Sequence, residues 1–100
     1  MYGEFMIKLM NKLEIRMYKK NEIIATEMDE CLEVLFVENG FYKVGYQINN
    51  IHFYRRRFGM FTVIGGFQIC YDRRFSFIFK ASAELKGLAI RKEHFKELLW

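Results

Sequence analysis

The chain has no proline, only two cysteines and no long apolar run. The missing proline argues against a Pro-rich tail or a disordered linker as the organising feature. Cys31 and Cys70 lie far apart and match no zinc or redox spacing. Both have apolar neighbours, so buried thiols in a reducing compartment are the expected state. No apolar run approaches the roughly 18–20 residues that cross a bilayer. The first residues, MYGEFMIKLMNKLE, are broken by charge and lack the core of a secretory signal. A cytoplasmic domain is expected, free-standing or the cytosolic part of a membrane protein. Histidine is scarce too. His52 and His94 stand alone, without clustered acids or cysteines, so no metal centre is expected. Glu27, Asp29 and Glu30 form an acidic corner with no histidine or serine partner for catalysis, so neither an enzyme nor a cofactor is expected.

One hundred residues make a single domain, residues 1–100. Apolar residues are 52% of the chain and aromatics 18%, which is enough to fill a core. The net charge of +4 is uneven. Residues 1–50 hold six basic and eight acidic side chains, giving −2; residues 51–80 hold six basic and one acidic, giving +5. Positive potential therefore gathers on the run Arg55, Arg56, Arg57 and on the corner Asp72, Arg73, Arg74.

Phe5, Met6, Leu9, Met10 and Leu13 recur at helical spacing, which predicts an amphipathic helix over residues 1–13. Its methionine-rich stripe packs on the domain's own sheet or docks a neighbour. Short strands are expected at 15–18, 22–26 and 33–38. Asn39-Gly40 is the strongest turn signal, because both residues tolerate positive φ. Tyr42, Val44, Tyr46 and Ile48 alternate with polar positions, as in a half-buried strand. Asn49-Asn50 is a second hairpin turn, leading to a strand that ends at the three arginines. A strand at 61–64 precedes Gly65-Gly66. Phe75, Phe77 and Phe79 alternate with Ser76, Ile78 and Lys80 in a further strand. A last strand at 85–90 leads into a helix over 93–100. Eight short strands with turns between them and a helix at each end describe a mainly β fold. The expected architecture is an antiparallel jelly-roll-like β-barrel over 14–92 with flanking α-helices.

The organising stretch is IGGFQICYDRRFSFIFKA, residues 64–81. Adjacent glycines let the backbone approach a ligand and present N–H groups, and nearby arginines could complete a phosphate site. The same glycines also suit a plain tight bend in a sheet.

KKNEIIATEMDECLEVLFVENGFYKV resembles the first half of a cyclic nucleotide-binding domain, with Glu22, Ile23, Ile24, Asp29, Glu30, Glu33, Phe36 and Gly40 in register. IGGFQICYDRRFSFIFKA resembles that family's phosphate-binding cassette without a gap, and LAIRKEHFKELLW its last strand and following helix. The likeness covers residues 14–100. VGYQIN, Val63-Ile64-Gly65, the Arg74 corner, FIFKA and Ile90-Arg91-Lys92 look most like the domains of ciliate potassium channels of the voltage-gated, ether-à-go-go-related type. The resemblance implies a double-stranded β-helix fold, a regulatory role, cAMP or cGMP as ligand, and partners among the other domains or subunits of a channel. It implies Gly65, Gly66, Phe67, Arg74, Phe75 and Ser76 as the ligand-binding residues. It also implies a closing helix after Trp100, which would lie beyond this chain.

The family's glutamate falls on Gly66 and its arginine on Phe75, with Arg74 one residue early. Two usual turn glycines fall on Asn21 and Met28. Losing two charge-assisted hydrogen bonds would weaken binding by about 3–6 kcal/mol, or roughly 100- to 10,000-fold. A retained fold with weakened nucleotide binding is therefore expected. Arg55, Arg56 and Arg57 beside Phe53, Tyr54 and Phe58 support two other readings: a basic module for nucleic acid or an anionic membrane surface, or a solvated strand end. A protein–protein scaffold docking through Met6 and Met10 is a further alternative.

Overall fold

The computed structural model describes residues 2–99. Met1 and Trp100, the ends of the expected domain, lie outside the described residues. So do the side chains of Phe5 and Leu99, which contribute to the helical patterns above. The described elements run α1 (Tyr2–Lys12), β1 (Leu13–Tyr18), β2 (Ile23–Ala25), β3 (Glu33–Asn39), β4 (Tyr42–Ile48), β5 (Ile51–Phe58), β6 (Val63–Ile64), α2 (Gly66–Cys70), β7 (Ile78–Ala81), β8 (Leu85–Arg91) and α3 (Lys92–Leu99).

The strands form two four-stranded sheets, β1-β8-β3-β6 and β2-β7-β4-β5, and every pairing is antiparallel. The jelly-roll class holds, but among the described residues no ladder joins the sheets into one closed barrel. Apolar side chains from both sheets fill the space between them. Leu35, Val37, Ile64, Leu85 and Ala89 come from the first, and Ala25, Tyr42 and Ala81 from the second. Fully burying a side chain of valine or leucine size is worth about 1.5–3 kcal/mol, so this layer supplies the main cohesion. α1 and α3 cap one end. Leu9, Phe95 and Leu98 pack against the core, while Ile7 and Met10 stay exposed. The expected helical stripe is thus split. Leu9 turns inward and Met10 faces water.

Several local expectations change. Gly40 has φ +99, as the Asn39-Gly40 turn requires, but β3 and β4 belong to different sheets. The turn is a crossover and not a hairpin. It passes so close to Glu84 that an added Cβ would run into that carbonyl. Asn49-Asn50, at φ +51 and +64, does close the β4–β5 hairpin. The strand expected at 61–64 is shorter, Val63–Ile64; Phe61 takes φ +65, although its N–H still donates to the Val37 carbonyl at 2.9 Å. The strand expected from Phe75 starts only at Ile78. Before it, Phe75 N–H donates to the Asp29 carbonyl and Met28 N–H to the Phe75 carbonyl, at 3.0 and 2.8 Å. These bonds bind residue 75 to the corner after β2 and break the alternation. Ile78, expected opposite the phenylalanines, is fully buried, while Phe77 is exposed. Cys70, expected buried, is exposed, because the five-residue α2 buries only Ile69.

Candidate functional site

The Gly65-Gly66 elbow joins β6 to α2. Gly65 is buried at φ +97, and an added Cβ would stand 2.6 Å from the Glu33 carbonyl and 2.8 Å from Cys31 Sγ. Only glycine fits there without strain. The Cys31 thiol donates to the Glu33 carbonyl at 3.3 Å and lies 3.5 Å from the Gly65 carbonyl, so it fastens β3 to the elbow. Burial pushes this thiol up from its ordinary range. Gly66 is less constrained. Its added Cβ would meet only Val63 Cγ1, at 3.5 Å. β6 itself is held by Thr62, whose hydroxyl accepts from Tyr42 at 2.8 Å and donates to the Gly59 carbonyl at 2.7 Å.

The far side of the cassette is tied to the corner at 26–29. Thr26 N–H donates to the Asp29 carboxylate at 3.1 Å, and Met28 turns the chain at φ +69. Arg74 Nη1 donates to the Met28 carbonyl at 3.0 Å. Phe75 is buried and meets Phe79 edge-on with ring centres 5.4 Å apart. Of the six residues implied as ligand-binding, Gly65 and Phe75 are therefore built into the packing. Arg74 is engaged with the corner backbone. Phe67 and Ser76 are exposed, and Phe67 packs on Tyr71 at 4.8 Å. Gly66 is half-buried at the start of α2, where Gly65 offers no side-chain cap. Neither glutamate nor arginine projects from the positions where the resemblance places them.

Two hollows adjoin this region. A cavity of about 340 Å³ has Ile64 and Phe75 in its wall and is lined further by Arg16 and Tyr18 of β1, Ile24 of β2 and Glu33 of β3. Arg16 is not free within it. Its Nη2 and Nε donate to Glu33 at 2.9 and 3.2 Å, and Nη2 also reaches Glu14. A smaller hollow of about 190 Å³ carries three cations, Arg73, Arg74 and Lys92, and two carboxylates, Glu30 and Asp72. Those carboxylates pair with Lys92 at 3.9 Å and Lys96 at 3.5 Å.

The second expected site lies elsewhere. Arg55, Arg56 and Arg57 are all exposed on β5, an edge strand. Sequence reasoning placed Glu33 in the family register and expected Cys31 to be buried, but missed that the two fasten the elbow. The signal available for them was the apolar run of residues 34–37 flanked by Glu33 and Glu38, which marks a strand and not a contact. It did single out Asn21 and Met28 as turn-glycine positions, and both have positive φ, +73 and +69.

No family model matches the chain, and no curated protein does. Solved structures do. The chain is similar to the regulatory subunit of a cAMP-independent protein kinase A from Trypanosoma cruzi bound to guanosine, at 16% identity and TM-score 0.85 over 97% of this chain and 35% of that one. It is similar to cAMP-bound PfPKA-R at 18% identity and TM-score 0.83, over 96% and 34%. A cAMP-binding acyltransferase from Mycobacterium smegmatis gives 14% and 0.81, over 93% and 29%. The chain thus spans about a third of the length of each. The fold is the mainly β jelly roll found in cyclic nucleotide-binding domains.

Proposed function

We propose that this chain is a regulatory cyclic nucleotide-binding-like domain of a larger cytosolic or membrane-attached protein, an ion channel of the potassium type, with a degenerate nucleotide grip. The observation that carries the degenerate grip is Phe75, which fills with a buried ring the place where the resemblance puts a phosphate-holding arginine. Gly66 supplies no carboxylate for a ribose, and Arg74 is occupied by the Met28 carbonyl. The channel assignment rests on the segments VGYQIN, FIFKA and Ile90-Arg91-Lys92. Transmembrane helices encoded upstream in the gene are its test, and a DNA-binding helix-turn-helix downstream would refute it.

A second reading keeps a ligand but drops the phosphate. A site without charge at positions 66 and 75 suits a neutral nucleoside better than a cyclic nucleotide, and one structure of the same fold holds guanosine. Titration with cAMP, cGMP and guanosine, followed by backbone amide shifts at residues 64–77, tests both. Saturable binding of cAMP at about micromolar concentration would defeat the degenerate reading. Guanosine shifts without cAMP shifts would select the nucleoside.

A further inference from the structure

The β4–β5 hairpin is built unlike the rest of the chain. From Asn39 to Tyr71 the sequence contains no Asp or Glu, while Lys43, Arg55, Arg56 and Arg57 all fall on this hairpin. Among the described residues, none of the four forms an ion pair with a carboxylate. β7 pairs with β4 only from Tyr42 to Gly45. Beyond that point residues 46–53 run on as a two-stranded ribbon, touched at its base where Glu27 accepts the Gln47 N–H at 2.8 Å. β5 is exposed at every position but Tyr54.

The side chains on the ribbon are graded. Ile48 pairs with Ile51 beside the Asn49-Asn50 turn, and both are more than half exposed, at 53% and 59%. One step back, Tyr46 stacks on Phe53 at 5.5 Å. Behind them Arg55 lies 5.9 Å over the Tyr46 ring on the same face. On the opposite face His52 and Gln47 precede Tyr54, and then come Lys43 and Arg57. Lys80 sits over Tyr54 at 5.7 Å, and Arg57 over Phe41 at 4.1 Å. Read away from the tip, the order is aliphatic, aromatic, cationic. A strand rises about 3.4 Å per residue, so Arg55 stands roughly 13 Å behind Ile51.

That order matches the layers of a membrane surface: acyl boundary, aromatic-rich headgroup zone, anionic phosphate plane. A single-stranded nucleic acid would use aromatics and cations interleaved along one groove, and would leave the tip isoleucines unexplained. We infer that the β4–β5 hairpin docks the domain on an anionic lipid surface, with Ile48 and Ile51 shallowly inserted and Arg55, Arg56, Arg57 and Lys43 on lipid phosphates.

The test is co-sedimentation of the full chain with vesicles of phosphatidylcholine alone or with about 30% phosphatidylserine. Binding to the anionic vesicles is expected, with little on the neutral ones, and it should weaken steeply between about 0.1 and 0.5 M salt. Replacing Arg55, Arg56 and Arg57 by alanine should cost about fivefold each, on the order of a hundredfold together. Ile48→Thr with Ile51→Thr keeps the charge and the strand propensity, and should still lower partition severalfold. These positions are exposed, and an unchanged melting temperature certifies that each variant is folded. Equal binding to neutral vesicles, or none to either, overturns the proposal. So does undiminished partition of the double threonine variant, or tighter binding to an unstructured oligonucleotide than to vesicles.

Discussion

Adding one methyl group at Gly65 and at Gly66 in turn should move stability in opposite directions. Gly65 has φ +97, and a Cβ there would press on the Glu33 carbonyl at 2.6 Å and on Cys31 Sγ at 2.8 Å. A left-handed φ costs an L-residue about 1–2 kcal/mol, and an overpacked methyl about 1–3 kcal/mol. Reduced freedom of the unfolded chain returns about 0.4–1 kcal/mol. Gly65→Ala should therefore destabilise by about 2–4 kcal/mol. Gly66 lies outside the left-handed region, in the first position of α2, and its Cβ would make ordinary contact with Val63. Gly66→Ala should stabilise by about 0.5–1 kcal/mol, the helical preference for alanine. Urea unfolding reads both. With a slope of about 1–2 kcal/mol per molar, the midpoint should fall by about 1–4 M for the first variant and rise by several tenths for the second. Midpoints moving the same way, or a Gly65→Ala variant as stable as the parent, would refute the assignment of Gly65 to packing.

Met28→Gly should stabilise by up to about 1 kcal/mol, because it relieves a left-handed φ of +69 at a side chain already 70% exposed, and a thermal melt will show it. Asn21→Gly should gain less, since asparagine tolerates that region. A thiol reagent should modify Cys70 at once and Cys31 only on unfolding; equal rates would contradict the fastening of the elbow. Glu14 is held below its ordinary value of 4.5, first by its hydrogen bond from Arg91 and then by the charges of Arg91 and Arg16. Its folded-state value is depressed, so its contribution is present above 4.5 and is lost as pH falls through that lowered value. Melting temperature should drop with acid over this range, and Glu14→Gln should flatten the drop.

The eight strands were legible because each carries its own local signal: alternation in β4, an apolar run in β3, and Asn49-Asn50 between β4 and β5. What the sequence did not reveal was which strands share a sheet. Asn39-Gly40 looks like a hairpin turn, yet the two strands it joins pair elsewhere, and such partners are chosen by packing far along the chain. The cassette was legible in outline, since Gly65 and Met28 bend where the family pattern asks for glycine. The fate of Phe75 was not. Alternation of Phe75, Phe77 and Phe79 is the usual mark of a strand face. Here backbone bonds from Asp29 and Met28 pull residue 75 off the ladder. Cys70 shows the same limit, because a helix of five residues can bury a single side chain and leave its neighbours in water.

Phe75 also bears on how the cassette can keep its shape without a bound ligand. The bonds that set the far side of the cassette are backbone to backbone, from Phe75 to Asp29 and from Met28 to Phe75, with Arg74 on the Met28 carbonyl. None of them needs a ligand, and only Arg74 among them contributes a side chain. Position 75 is then free to serve the core. Its ring begins a chain of aromatic contacts to Phe79 at 5.4 Å, from Phe79 to Tyr42 at 6.2 Å and from Tyr42 to Phe58 at 5.6 Å. An arginine there would forfeit that contact, worth about 1.5–3 kcal/mol of burial, and would need a bound anion or a carboxylate to offset its own desolvation. With no phosphate at that position, burial alone favours phenylalanine over arginine. The jelly roll and its elbow therefore testify to shape, and only groups that face a ligand can testify to binding.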